Sequence, residues 1–104
     1  MDNIERQVEI FKALSDPTRL KLIQLLGDCK PGVCEGGDLC VNALANHLGV
    51  TQSAVSQHLR VLRQAGLVRG VRKGTFMHYS LNPDGFAEYK TALQDILGGV
   101  LTLK

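Results

Sequence analysis

Three cysteines are the side chains in this sequence that are best suited to chemistry. Cys29, Cys34 and Cys40 follow the spacing C-x4-C-x5-C, and no other cysteine occurs in the 104 residues. Three thiolates with no histidine among them favour a soft, thiophilic ion over a hard one. Segment 27–37 contains four glycines and one proline, which predicts a loop. This loop could wrap the first two thiols around an ion that Cys40 also binds.

The same cysteines allow two other interpretations. Their odd number argues against a disulfide framework, but a redox switch could close a Cys29–Cys34 or Cys34–Cys40 disulfide. They could also be unrelated thiols, with Cys40 packed inward as a small hydrophobe. We expect Asp38 to cap a helix in which Cys40 is the second residue, so that its sulfur faces unpaired backbone N–H groups.

Five helical patterns and one hairpin must position these residues. Apolar residues recur three or four positions apart in each helical pattern. A stretch rich in valine and aromatic residues, 67–81, predicts two strands with a tight turn at Lys73-Gly74. The helices are expected at 3–14, from a cap at Asp16 to 27, from a cap at Asp38 to about 47, from a cap at Thr51 to about 64, and from 82 onward.

The third and fourth helices, followed by the hairpin, match a winged helix-turn-helix. The predicted fold is therefore mainly α, with five helices and a two-stranded wing, in one domain over residues 1–104. Val55, Leu59 and Leu62 mark the buried face of the fourth helix. The opposite face is polar and rich in hydrogen-bond donors, as the reading of DNA bases requires. The candidate DNA contacts on this helix and the wing are Gln52, Ser53, Ser56, Gln57, Arg60, Arg69, Arg72 and Lys73.

Charge is divided unevenly along the chain. The whole chain has 12 Lys and Arg against 10 Asp and Glu. The stretch 39–83 contains five basic residues and no Asp or Glu, so it carries +5 and the remainder −3 (7 basic against 10 acidic). A phosphate backbone attracts such a basic surface and disfavours acidic neighbours. The division therefore indicates double-stranded DNA as the partner of the fourth helix and the wing.

Other classes of protein share some of these features. A helical domain with a solvated basic face, or a winged-helix module that contacts only proteins, would also place polar residues opposite an apolar stripe. The turn, the hairpin and the acid-free stretch together argue against the first, and the acid-free, Gln- and Ser-rich helix argues against the second. No nucleophile–base pair, carboxylate dyad or phosphate loop occurs, so we do not expect an enzyme. Thiol chemistry at the cysteines is the one catalytic activity that the sequence leaves possible.

Four segments, taken in order, resemble the ArsR-type family of metal-responsive repressors. FKALSDPTRL at 11–20 resembles the family's A-L-x-D-P-T-R-L opening, and VSQHLRVL at 55–62 resembles its recognition helix. AGLVR at 65–69 and the segment 74–81 resemble its wing. The resemblance covers about residues 8–82. It implies a homodimer with the first and last helices at the interface, and repression that an inducer relieves.

The resemblance also bears on individual site residues. His58 matches a histidine common in the family's recognition helix, which implies a phosphate contact or a packing role. The segment around Cys40 corresponds to an L-C-V-C motif of the family, but Asn42 replaces the second cysteine. Cys29 and Cys34 could take over as ligands.

Arsenite or antimonite, bound by three sulfurs, is then the first choice of inducer. Cadmium or lead is next, with Glu35 or Asp38 as an added oxygen ligand. The family's alternative zinc site on the last helix is rejected, because that helix has no histidine.

The sequence also bears on where the protein is located and whether it forms a dimer. Residues 1–6 include three charged side chains and no apolar run, and no apolar run elsewhere approaches the roughly 18 residues that a membrane span requires. We therefore expect a soluble, cytoplasmic protein with no membrane partner, no further protein partner and no organic cofactor. The apolar stripes on the first and last helices independently indicate surfaces in need of a partner, since a domain of this size is only modestly stable alone.

Overall fold

The computed structural model describes residues 3–28 and 39–101, and within them it confirms five helices with a β-hairpin wing. Their order is that of the predicted winged helix-turn-helix. The elements are α1 (Asn3–Leu14), α2 (Pro17–Gly27), β1 (Leu39–Cys40), α3 (Val41–Leu48), α4 (Gln52–Gln64), β2 (Val68–Lys73), β3 (Phe76–Leu81) and α5 (Pro83–Leu101).

Two predicted helix caps are confirmed. The Asp16 carboxylate accepts a hydrogen bond from the Arg19 backbone N–H at 3.0 Å, and Pro17 is the first residue of α2. The Thr51 hydroxyl accepts from the Ala54 N–H at 3.1 Å and begins α4. Gly49 ends α3 in the left-handed region, with φ 66°. These local signals fix the turn between α3 and α4.

The predicted start of α3 is wrong. Cys40 is the N-cap of the helix rather than its second residue, and Asp38 lies outside the described residues. The backbone at Cys40 is extended (φ −78°, ψ 160°), so that Leu39 and Cys40 pair with Tyr79 and His78 of β3. The expected two-stranded wing is therefore part of a three-stranded antiparallel sheet in the order β1-β3-β2.

The wing, defined here as β2, β3 and their connection, pairs continuously from Val68↔Leu81 to Lys73↔Phe76. Gly74, with φ 64°, and Thr75 form the turn, one residue later than the predicted Lys73-Gly74. A left-handed backbone at this position favours glycine. The register places Arg69 and Lys73 on the face opposite Arg72, because neighbouring strand residues alternate between faces.

The hydrophobic core fixes the orientation of α4. Val55, Leu59 and Leu62 are fully buried, as predicted, and belong to one cluster with Leu22 of α2 and Leu44 of α3. Burying one such side chain stabilises the fold by about 1.5–3 kcal/mol. Rotating α4 about its axis would expose all three, so its polar side is held outward. Within the described residues, no helix is long and apolar enough to cross a membrane.

Candidate nucleic-acid interface and thiol site

The outer side of α4 presents a row of polar side chains. They are exposed, and most lie opposite the buried face, since each helical residue advances by about 100°. The amide and guanidinium groups are suited to adenine and guanine edges, and the hydroxyls to bases or phosphate. We call this set the reading face, and it consists of Gln52, Ser53, Ser56, Gln57 and Arg60.

His58 is placed differently from the other candidate DNA contacts. It lies beside the buried face of α4, with only 25% of its side chain exposed. Its Nδ1 is 3.3 Å from Arg19 Nη1 and 3.7 Å from an Asp16 carboxylate oxygen. Nδ1 thus faces a donor, Arg19, and an acceptor, Asp16, so its role depends on whether that nitrogen carries a proton. Packing against α2 is thus visible, and a phosphate contact stays a prediction.

Asp16, the N-cap of α2, lies in the same cluster as Arg19 and His58. The hydrogen bond from the Arg19 backbone N–H lowers the pKa of the Asp16 carboxyl, and nearby His58 and Arg19 act in the same direction against the effect of desolvation. The carboxylate therefore stays ionised to a lower pH than an unperturbed aspartate would. It holds the start of α2 against the middle of α4.

The wing adds three exposed cations to the same region of the chain. Arg69, Arg72 and Lys73 are all exposed, and Arg72 and Lys73 lie next to the turn. Arg69 forms an ion pair with Asp84 at 3.7 Å, in which the two side chains are 54% and 92% exposed. Such an exposed pair is worth about 0–1 kcal/mol, so a phosphate could replace the carboxylate at little cost.

Of the three predicted ligand cysteines, the described residues contain Cys40, and Cys29 and Cys34 lie outside them. The half-buried Cys40 sulfur accepts a hydrogen bond from the Ala43 N–H at 3.4 Å. Within the described ranges, no three Cys, His, Asp or Glu side chains come together as a metal site. The three-cysteine site therefore stays a prediction, of which the described residues place one sulfur, at the start of α3.

The order of helices, the turn and the wing agree with a known family. A model of the "bacterial regulatory protein, arsR family" matches residues 16–69, which run from the cap of α2 to the start of β2. The chain belongs to the arsR family. The family and the relatives below are transcriptional regulators, so this chain is a winged helix-turn-helix regulator and not an enzyme.

Relatives of this arsR-family regulator carry different functional names. The chain is 38% identical over 92 residues to the transcriptional repressor SdpR of Bacillus subtilis, covering 88% of this chain and 86% of the relative. It is 37% identical over 76 residues to the arsenical resistance operon repressor of Escherichia coli, covering 73% of this chain but only 59% of that protein. A homodimeric winged helix-turn-helix DNA-binding domain from Mycobacterium bovis superimposes with a TM-score of 0.69 at 26% identity, covering 94% and 83% of the two chains.

One contact of this arsR-family regulator was missed by sequence reasoning. Asn42, which stands where the resembling motif has its second cysteine, accepts a 2.9 Å hydrogen bond from the Gln52 side-chain amide. The start of α3 is thereby joined to the first residue of the reading face. The ten-residue separation has no helical or strand periodicity, so no local pattern could have found this pair.

An exposed apolar surface runs along α1 and the far end of α5. Ile4 is 67% exposed, and Ile96 and Val100 are 52% and 55% exposed. Val8 and Leu97 complete the set, which we call the α1–α5 surface. A stripe of this kind on two adjacent helices is typical of an interface.

Proposed function

We propose that this chain is a homodimeric transcriptional repressor that leaves its operator when a thiophilic ion binds, with arsenite or antimonite as the first choice. The DNA-binding part of this proposal rests on the reading face. Five exposed polar side chains project from a helix whose opposite side is fully buried, next to a wing with three exposed cations.

Electrostatics support DNA as the partner. The stretch 39–83 contributes five positive charges and no carboxylate, so the reading face and the wing come from one basic part of the chain. Cations there release counterions from phosphate, which provides affinity, and the amides and hydroxyls of α4 provide base discrimination.

A matched pair of glutamine variants tests base reading. The assay is fluorescence anisotropy with duplexes from the DNA upstream of the gene, compared with a shuffled duplex. Gln57→Ala removes a bidentate base contact and should weaken specific binding by about 1–3 kcal/mol, while binding to the shuffled duplex changes little. Gln24→Ala, the same change at an exposed position of α2, should bind as the parent protein does. Equal loss on both duplexes with Gln57→Ala would contradict base reading.

Dimerisation through the α1–α5 surface supplies the second reading helix. Two recognition helices about 34 Å apart fit successive major grooves, as paired half-sites require. Ile96→Glu should shift the sedimentation equilibrium towards the monomer, because it places a charge within an apolar contact. Val71→Glu, at an equally exposed valine of the wing, is the control and should leave the molar mass unchanged. A dimer that tolerates Ile96→Glu would place the interface elsewhere.

The position of Cys40 supports an inducer that acts through thiols. Cys40 caps α3, and its cross-strand partner is His78 of the wing. Asn42, two residues later, holds Gln52 of the reading face. An ion that draws the Cys40 sulfur away from the Ala43 N–H would disturb the start of α3, and both connections begin there. A coupling of about 1–3 kcal/mol would weaken DNA binding roughly 5- to 150-fold.

Titration of the DNA complex distinguishes the candidate inducers. The reduced protein is bound to upstream DNA, and its release is followed by fluorescence anisotropy. The complex is titrated with arsenite, then with cadmium or lead, and separately with a thiol oxidant. Release by arsenite in the parent protein but not in Cys40→Ser supports the metalloid sensor. Release by cadmium or lead alone favours a divalent sensor, and release by the oxidant alone favours a redox switch. An arsenite response that survives in Cys40→Ser would contradict the role of Cys40.

A further inference from the structure

Arg6 joins three elements around the end of α4. From α1, its Nη2 donates to the backbone carbonyl of Ala65, the C-cap of α4, at 2.8 Å. Its Nε donates to the Glu88 carboxylate of α5 at 2.8 Å, and Glu9 lies 3.5 Å from Nη1. The hydrogen bond with Glu88 raises the pKa of the Arg6 guanidinium above its ordinary value, although desolvation alone would lower it. Only a forked, planar donor group can reach these acceptors together.

Arg19 makes an equivalent connection near the middle of α4. From α2, its Nε donates to the Ala13 carbonyl at 2.6 Å, and its Nη2 donates to the Lys12 carbonyl at 3.3 Å. Both carbonyls belong to the last turn of α1, and the Lys12 carbonyl also accepts hydrogen bonds from the Ser15 N–H and hydroxyl. The remaining nitrogen, Nη1, lies 3.3 Å from His58 of α4. Arg19 thus links the end of α1 to α4.

Ile10 and Ala13 of α1 are buried in the same core as Leu59 of α4, and the two arginines add polar contacts at two further points along α4. An open groove runs between the two helices, lined by Glu9, Lys12, Val61 and Gln64. The arginine contacts on α4, at His58 and Ala65, are seven residues apart, or about 10 Å along the axis. A displacement of about 1 Å at one of them would tilt α4 by roughly 5° about the other.

We propose that Arg6 and Arg19, together the arginine clamp, are positioning residues that fix the tilt of α4 against α1. The inference rests on the proposed function, since tilt affects DNA reading only if α1 lies in the dimer interface and α4 enters the groove. In such a dimer, the clamp sets the separation of the two reading helices. It therefore decides which spacing between operator half-sites the protein accepts.

Selection of DNA from a random duplex library tests this role and requires no operator sequence at the start. The variants are Arg6→Lys, Arg19→Lys and their combination, which keep the charge but lose the forked donor geometry. Lys21→Arg, a charge-conserving exchange at an exposed position of α2, is the control. The parent protein and the control should enrich paired half-sites at one spacing. The double variant should enrich the same half-site bases at spacings one base pair longer and shorter as well.

Affinities measured by anisotropy then give the size of the effect. The preference for the selected spacing over a one-base-pair change should fall by at least about fivefold in the double variant, as expected for the loss of a net hydrogen bond. A lower melting temperature with an unchanged spacing preference would show that the clamp is only structural and would overturn the proposal.

The single variants decide the outcome if the double variant does not fold. Each should broaden the spacing distribution in the same direction, and two unchanged distributions would overturn the proposal. Enrichment of no paired sites by the parent protein would instead contradict the proposed function.

Discussion

The replacement of Gly85 by alanine tests how α5 is joined to the DNA-reading half of the molecule. Gly85 lies in the first turn of α5, and a Cβ there would overlap the backbone carbonyl of Gly66, in the turn between α4 and β2. The same carbonyl accepts a 2.8 Å hydrogen bond from the Asn82 side-chain amide. The added atom would also lie 3.3 Å from the Leu67 Cα, so the overlap is with backbone and no side-chain rotation can relieve it.

The size of the effect follows from three contributions. Overpacking that forces a backbone shift costs about 1–3 kcal/mol. Losing the Asn82–Gly66 hydrogen bond adds about 1 kcal/mol. Alanine's higher helix propensity returns about 1 kcal/mol. We therefore expect Gly85→Ala to lower the free energy of unfolding by about 1–3 kcal/mol, which corresponds to a fall in Tm of roughly 5–20 °C for a domain of this size.

Urea unfolding followed by circular dichroism, at one fixed protein concentration, measures this change. Gly98→Ala is the matched control, because it is the same substitution in the same helix and an added Cβ there meets nothing within 4 Å. The control should be neutral or stabilised by up to about 1 kcal/mol. If Gly85→Ala were as stable as Gly98→Ala, the close backbone approach between α5 and the α4–β2 turn would be refuted.

Three further predictions concern the core, the wing and the acid range. Leu59→Ala should lower the free energy of unfolding by about 2–5 kcal/mol in urea titrations, because Leu59 is fully buried, and a change below about 1 kcal/mol would contradict that burial. Asp84→Asn should tighten DNA binding about two- to fivefold in anisotropy, because it releases Arg69 for phosphate; unchanged affinity would mean that the Arg69–Asp84 pair does not compete with DNA. The lowered pKa of Asp16 contributes stability that is present above the unfolded carboxyl pKa of about 3.9 and is lost as the pH falls through the lowered folded value. In an acid titration, the free energy of unfolding of Asp16→Asn should therefore depend less on pH in that range than that of the parent protein.

Local sequence signals predicted most of the helices and the reading face. Asp16 and Thr51 lie where a short polar side chain is followed by helical periodicity, and both are N-caps. Val55, Leu59 and Leu62 repeat at the period of a helix and are fully buried. Such signals depend only on neighbours in the chain, so they can be read without the tertiary structure.

The features that sequence reasoning missed depend on distant contacts. The start of α3 was misplaced because aspartate is the commoner N-cap, whereas here Cys40 caps the helix as β1 pairs with β3. A two-residue strand has no period to detect. His58 contacts Arg19, 39 positions earlier in the chain, and Arg6 contacts Ala65, 59 positions later. These separations are set by packing rather than by any local pattern.

The dependence of DNA affinity on salt tests the central claim most directly. Anisotropy titrations of the parent protein on upstream DNA, repeated between 50 and 200 mM salt, give the slope of log affinity against log salt concentration. Six to ten phosphate contacts in a dimer predict a loss of about 10³–10⁵ in affinity over this range, and Arg72→Ala should reduce the slope by about one per protomer. A shallow slope that Arg72→Ala leaves unchanged would contradict the account that the wing and the reading face bind DNA.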